Sequence, residues 1–378
     1  MKYISFIFLL VAGFEPANGQ TNTTYLFIGS YTDSKPAKGI YVYKMNALTG
    51  ELTQISTGEN ITNPSFLTIS PNGKYLYACT DTKTLVAGSI SSFAIDSITG
   101  KINFINKQSS TGANPVYLAV DYTNKFVVAG NYTEGNVVVF STGKDGSLHP
   151  ALQSIQFEGS GINKNRQEKP HIHSTIFSPR YDYLYLPDLG SDKIRAFKFD
   201  PGNAAPLMAV DSLTVNTLPG SGPRHMIFHP NKKFAYCIEE MSGMVVVYSY
   251  NNGKLIKVQD INSNSKKVDE YSSADIHISP DGLFLYASNR VENTISIFSI
   301  GENGRIKLIG HESTLGEVPR NFTIDPTGNF LLVANQGTNN IVVFKRNLKT
   351  GLLKTTGWQI SVPAPSCLQM RIYRTSEK

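Results

Sequence analysis

Hydrophobic and polar positions along this chain fall into one motif that returns from end to end. In its fullest form a Pro opens an apolar stretch that closes on a second Pro. A short Gly, Asn or Lys turn follows, then an aromatic-led apolar run and a polar cluster. Four copies read "NPSFLTISPNGKYLYACTD" (63–81), "GPRHMIFHPNKKFAYCIEE" (222–240), "SSADIHISPDGLFLYASNR" (272–290) and "VPRNFTIDPTGNFLLVANQ" (318–336). The leading aromatics are Tyr25, Tyr75, Phe126, Tyr183, Phe234, Phe284 and Phe330, separated by 50, 51, 57, 51, 50 and 46 residues. Each is followed by a second alternating run, such as "GIYVYKM" (39–45), "NVVVFST" (136–142) or "TISIFSI" (294–300), and then by a Gly-led third run such as "GRIKLIG" (304–310). Period-2 alternation rich in Val, Ile, Tyr and Phe is strand chemistry.

Counting the segment before each aromatic gives four strands per copy, the content of a propeller blade. The sequence therefore predicts an all-β, seven-bladed β-propeller. The first copy lacks a preceding strand, while the last is followed by an orphan, "VPAPSCLQMRI" (362–372), that matches "ITNPSFLTISP" (61–71). The C-terminal strand is expected to close the N-terminal blade, which would leave no open sheet edge in the ring. Residues 155–170 are the one notable loop expansion.

Composition narrows the setting. Residues 1–19, "MKYISFIFLLVAGFEPANG", carry Lys2, an apolar run from Ile4 to Phe14 and a small-residue end. They read as a secretory signal peptide cut near Gly19, leaving 20–378 as a single propeller domain that is exported to the periplasm or secreted. The apolar run is too short to span a bilayer, and the rest of the chain holds no longer one. The net charge of +6 is scattered without a long basic run, which argues against a nucleic-acid partner. Three cysteines, Cys79, Cys237 and Cys367, sit in separate apolar strands and read as buried thiols rather than a disulfide framework.

Chemistry shows where the repeat departs from itself. Ten residues before each aromatic, at the start of the inner strand, stand Ser65, Val116, His173, Arg224, Ala274 and Arg320, with Ser366 from the closing strand. Six residues after it stand Tyr31, Asp81, Tyr132, Leu189, Glu240, Arg290 and Gln336. Antiparallel neighbours put the start of one strand beside the end of the next, so both columns should line one face of the ring around its axis. His173, Arg224, Glu240 and Arg290 are the candidate catalytic residues; His171, His225, Arg320, Asn321 and Gln336 are candidates for substrate binding. Each has a plainer reading as a strand cap or ion partner, and Glu239 is the better candidate to pair with a Lys. Asp188, Asn131, Asn289 and Asn335 recur one position earlier and read as scaffold. "HIH" at 171–173 resembles half a metal site, but nothing completes it at recognisable spacing. Neither a metal nor a cofactor is predicted, and no nucleophile elbow or phosphate loop is present.

These phrases, with "YLFIGSYT" (25–32), "PHIHSTIFSP" (170–179) and "GSGPRHMIFHP" (220–230), resemble the lactonase family of seven-bladed propellers. That family includes propeller-type 6-phosphogluconolactonases and a fungal carboxy-cis,cis-muconate cyclase. The resemblance implies lactone ring opening, with a His, two Arg and a Glu in a central cleft. His173, Arg224 and Glu240 match the His, the first Arg and the Glu; the second Arg falls on Arg290 or Arg320. Asp275 stands where the family has Glu. The implied partner is a small, anionic sugar-acid lactone; a muconate-type cyclase and a non-catalytic binding platform are the alternatives, and the oligomeric state is left open.

Overall fold

The computed structural model describes residues 20–33, 37–58, 61–81 and 85–376; the leader expected at 1–19 lies outside them. Seven antiparallel sheets form a ring, each except blade 1 built outward from the axis in chain order. Blade 2 is representative: Pro64–Ile69, Tyr75–Thr80, Ala87–Ile95 and Ile102–Ala113. Blade 1 is closed as the sequence implied. Pro365–Ser376 is its innermost strand and pairs along nearly the whole of Gln20–Ser30, with Gly29 opposite Cys367. Backbone hydrogen bonds between the two chain ends therefore hold the ring shut.

Blade 4 departs from the four-strand expectation. Its inner strand shrinks to Ile176–Phe177, and two short strands, Leu207–Ala209 and Val215–Asn216, share its outer edge around a 3₁₀ turn at Asp211–Leu213. The outer segment "PGNAAPLMAVDS" (201–212) lacks alternation, and its prolines cannot donate to a ladder.

The core lies between blades rather than within them. Phe284, Tyr286 and Ile297 of blade 6, for example, pack on Leu331, Val333 and Phe344 of blade 7. This arrangement explains why an aromatic leads each repeat and a Gly-led turn ends it. The aromatic of one blade packs on the turn glycine of the next: Tyr25 on Gly100, Tyr75 on Gly146, Tyr183 on Gly253, Phe234 on Gly304, Phe284 on Gly351, and Phe330 on Gly50 across the closure. Two residues further on, Tyr77, Tyr185, Tyr236 and Tyr286 donate hydroxyl bonds to the carbonyls of Gly146, Gly253, Gly304 and Gly351, at 3.2, 2.6, 2.9 and 2.7 Å.

The start of each inner strand carries the feature that builds the site. Its pairing slips by one residue between Pro64 and Leu67, Pro115 and Tyr117, Pro223 and His225, Ser273 and Ile276, Pro319 and Asn321, and opposite Pro365 and Cys367. In blade 4 the Ile172–Asp188 bridge is likewise out of step with the Ile176–Tyr185 pairing. Every residue of the first column sits inside such a bulge. A bulge leaves its extra residue out of the ladder and re-aims its side chain, here toward the axis. The second column meets it from the neighbouring strand: the N–H groups of Tyr31, Asp81, Tyr132, Leu189, Glu240, Arg290 and Gln336 bond the carbonyls two residues before the first column.

A methyl group added at Gly351 would lie 2.3 Å from the Phe284 ring, on a backbone held at φ +74°. Gly351→Ala is expected to lower stability by about 2–4 kcal/mol through left-handed strain and overpacking, measured by urea unfolding. A loss under about 0.5 kcal/mol would show that the blade contact yields freely.

Candidate functional site

Glu240 follows the last residue of Phe234–Glu239 and is buried at the axial end of blade 5. Its Oε2 takes Arg224 Nε at 2.9 Å and an Arg290 guanidinium nitrogen at 2.9 Å, with His173 Nε2 at 3.8 Å. Its Oε1 takes Arg166 at 2.6 Å. Three guanidiniums on one carboxylate leave the cluster net positive. Burial alone would raise the Glu240 carboxyl, but Arg290, Arg224, His173 and Arg166 outweigh it and hold it well below the usual 4.5.

His173 and Arg224 are both buried, and Arg224 is only 1 % exposed. Arg224 also donates to the Ala274 carbonyl at 2.6 Å. Burial, then the neighbouring Arg290, pushes it down to about 9, so it stays charged at neutral pH. Burial, then Arg224, drives the His173 imidazole well below 6.5 and keeps it neutral. Its Nδ1 is buried with no hydrogen-bond partner, an expensive state for a ring nitrogen unless a ligand meets it.

His173, Arg224, His225, Arg320, Asn321, Ser65 and Ser366 line one small axial chamber with Phe66 and Val116. Its volume is about 10 Å³, room for one water at most. All of the first column but Ala274 thus lines the chamber. Arg320 does not reach Glu240; its guanidinium lies 5.6 Å above the Tyr31 ring, and Tyr31 shares a hydrogen bond with Asp81. Arg290 is therefore the second arginine on the carboxylate.

One residue beyond the first column a second layer closes the chamber. His225 Nδ1 donates to Asp275 at 2.8 Å, His277 Nε2 donates to the same carboxylate at 2.9 Å, and Asn321 donates there as well. Asn321 in turn accepts the Leu368 N–H at 2.7 Å. Asp275, which differs from the resembling family's Glu, is thus the anchor of blades 5, 6 and 7 beneath the chamber.

Three expectations need revision. His171 has both ring nitrogens engaged, Nδ1 with the Tyr132 carbonyl at 2.8 Å and Nε2 with Glu168 at 3.3 Å, and it stacks on Tyr132. It supports the wall and has no nitrogen left for a substrate. Gln336 stays outside the cluster: its N–H bonds Val318, and its side chain makes no hydrogen bond among the described residues. Glu239 caps a turn through the Ser242 hydroxyl at 2.8 Å instead of pairing with a lysine, and burial lifts it to about 7. The scaffold reading of Asp188 stands: it accepts the N–H groups of His171, Gly190 and Ser191.

Counting columns missed Arg166, because it lies in the 155–170 expansion, which has no counterpart in other copies. The signal was the expansion itself. Tyr132, of the second column, touches His173 edge-on at 5.3 Å and has its hydroxyl 3.4 Å from Arg166. Among the described residues, no three His, Cys, Asp or Glu side chains are grouped to hold a metal ion, and no helix is long and apolar enough to cross a membrane. Cys79, Cys237 and Cys367 are all buried and free.

A seven-bladed propeller whose axial end gathers one carboxylate, buried arginines and a neutral histidine defines a small-molecule propeller with a cationic cleft. The profile of the family described as lactonase, 7-bladed beta-propeller, matches residues 25–370, and the chain belongs to that family. A 6-phosphogluconolactonase of Formosa agariphila is 48% identical over 92% of this chain and 99% of its own length. The Bacillus subtilis 6-phosphogluconolactonase is 33% identical over 92% and 98%. The structure of the Pseudomonas aeruginosa periplasmic gluconolactonase superposes with a TM-score of 0.88 at 31% identity, covering 93% of this chain and 99% of that one.

The buried imidazoles give the fold a pH dependence of calculable sign. Burial, then Arg224, lowers His225 from 6.5 to about 4. Between those values the unfolded chain binds a proton that the folded chain refuses, so stability falls as pH drops through that window. The loss is roughly 3 kcal/mol for this one group. Urea unfolding from pH 7 to pH 4 should show the decline, and His225→Gln should flatten it. An unchanged slope in that variant would mean His225 titrates normally.

Proposed function

We propose that this protein hydrolyses a sugar-acid lactone at the axial cleft. The observation that carries the reading is the meeting of His173, Glu240, Arg224 and Arg290 at one buried point, in a chain whose relatives bear the names 6-phosphogluconolactonase and gluconolactonase. Those names favour ring opening over the muconate-type cyclisation, and charges converging on an axis suit a small anion better than a protein ligand.

The reaction adds water to the lactone carbonyl, passes through an oxyanion and expels the ring oxygen as an alcohol. His173, neutral and with Nδ1 unengaged, is suited to take the proton of the attacking water. Glu240, 3.8 Å from Nε2, steadies by its charge the imidazolium that results. Arg224 and Arg290 meet the charge that develops on the carbonyl oxygen. Arg320 adds positive potential to the chamber and favours an acidic product. The expelled alkoxide recovers the proton from the imidazolium, so no proton is gained or lost until the new carboxylic acid ionises.

Glu240→Gln removes the counter-charge that aligns three arginines and His173. Turnover of glucono-lactones per folded molecule is expected to fall a hundredfold or more, with a stability loss of about 3–5 kcal/mol from the uncompensated guanidiniums. His173→Asn, which leaves those ion pairs in place, should lose activity comparably without that stability loss. Near-normal turnover in both variants would remove the cluster from the chemistry.

Export is part of the same reading. It is supported by the apolar leader at 1–19 and by the periplasmic gluconolactonase that shares the fold. N-terminal sequencing of protein recovered outside the cytoplasm should begin near Gln20; an intact Met1 there would end this part of the proposal.

A further inference from the structure

Two cavities flank the ion cluster, and they differ sharply in size. The axial chamber of about 10 Å³ cannot take a sugar ring. A second cavity of about 610 Å³, ample for one, lies outside it and is lined by Ile162, Asn163, Arg166, Met241, Glu270 and Tyr271, among others. Arg166 belongs to the outer cavity's wall, while Arg224 and His173 belong to the inner one. Glu240 joins them, Oε1 to Arg166 and Oε2 to Arg224. The Arg166–Glu240 pair therefore stands between the space that fits a substrate and the groups that would act on it.

The arginines on Glu240 are not equivalent. The Arg224 side chain is 2% exposed and that of Arg290 15%, but that of Arg166 is 42%. Arg224 and Arg290 come from propeller blades and are also tied to backbone carbonyls, Ala274 for the former and Ser272 for the latter. Arg166 springs from the inserted segment, and among the described residues its only other side-chain partner is the Tyr132 hydroxyl at 3.4 Å. The segment itself is firmly seated: Gln167 is fully buried and donates to the Leu189 carbonyl at 2.9 Å. The side chain can thus swing without unfolding its loop.

We propose that Arg166 is an exchangeable guanidinium: the anionic arm of the lactone, a phosphate or carboxylate, takes it from Glu240 Oε1, opening the outer cavity onto the axial chamber. This rests on the lactonase reading above. An arginine matches such a group with two parallel N–H bonds, so the exchange replaces one charge-assisted contact with another. Once Arg166 leaves, Glu240 faces only Arg224 and Arg290, with His173 alongside and Arg320 further off. Its negative charge then acts more fully on His173, strengthening that imidazole as a base. Substrate capture and base activation become one event. Asp269 and Glu270, also on the outer wall, repel an anion and suit sugar hydroxyls instead, which orients the ring with its charged arm toward Arg166.

Calorimetric titration of 6-phosphogluconate and of gluconate into the whole protein tests the exchange without depending on turnover. Arg166→Gln is expected to weaken 6-phosphogluconate by at least about tenfold and gluconate by less, with Arg166→Lys intermediate. If the wild type turns over either lactone, the acidic limb of kcat/KM should move to higher pH in Arg166→Gln, because one cation fewer opposes protonation around Glu240; a merely structural residue would not move it. Equal 6-phosphogluconate affinity in wild type and Arg166→Gln, or none in the wild type, overturns the proposal. Arg166-dependent binding in a protein that opens neither lactone would sink the hydrolytic reading and uphold the exchange.

Discussion

A single buried carboxylate organises one axial end of this molecule. Taking Glu240 out of water would be prohibitive were it not met by Arg224, Arg290 and Arg166. Those partners come from blade 5, blade 6 and the insertion preceding blade 4, so the pairing that satisfies the charge also fixes three parts of the ring relative to one another. It explains the state of the other groups too. His173 is neutral because it is buried beside guanidiniums, and its Nδ1 is left without a hydrogen-bond partner.

The ring delivers these charges to the axis by a device repeated seven times. Each inner strand opens with a one-residue slip in register, in five of the blades directly after a proline that cannot donate to the ladder. The slipped residue escapes the alternation that would bury it between blades and faces the axis instead. Where the residue is Val116 or Ala274 the bulge is silent. Where it is His173, Arg224 or Arg320 the same backbone brings a titratable side chain to the axial chamber. Interblade aromatics packed on turn glycines and tyrosine hydroxyls bonded to their carbonyls tie each blade to the next, against the like charge gathered at the axis.

Much of this was legible in advance because a repeat converts geometry into arithmetic. Residues at a constant distance from Tyr75, Tyr183 or Phe284 occupy equivalent places, so His173, Arg224, Glu240 and Arg290 could be grouped without coordinates, and the orphan strand at 362–372 could be assigned to blade 1. The method fails where the repeat does. Arg166 has no equivalent in other blades, and an insertion's side chain cannot be located by counting. His171 was ambiguous because a histidine two residues from another shares its face in a regular strand; the slip at Ile172 breaks that rule and turns it toward Tyr132 and Glu168. Gln336 occupies a proper column position, but a column predicts a location, not a partner.

The chain by itself determined the number of blades, their closure and the end of the ring at which polar groups gather, since alternation, turn glycines and leading aromatics are local signals read within about fifty residues. Only the tertiary structure decided which arginines meet Glu240, that Arg320 lies over Tyr31 instead, and that Asp275 bonds His225, His277 and Asn321. Those choices depend on side chains from different blades competing for the same few ångströms around an axis, where burial and charge are set jointly by residues far apart in sequence.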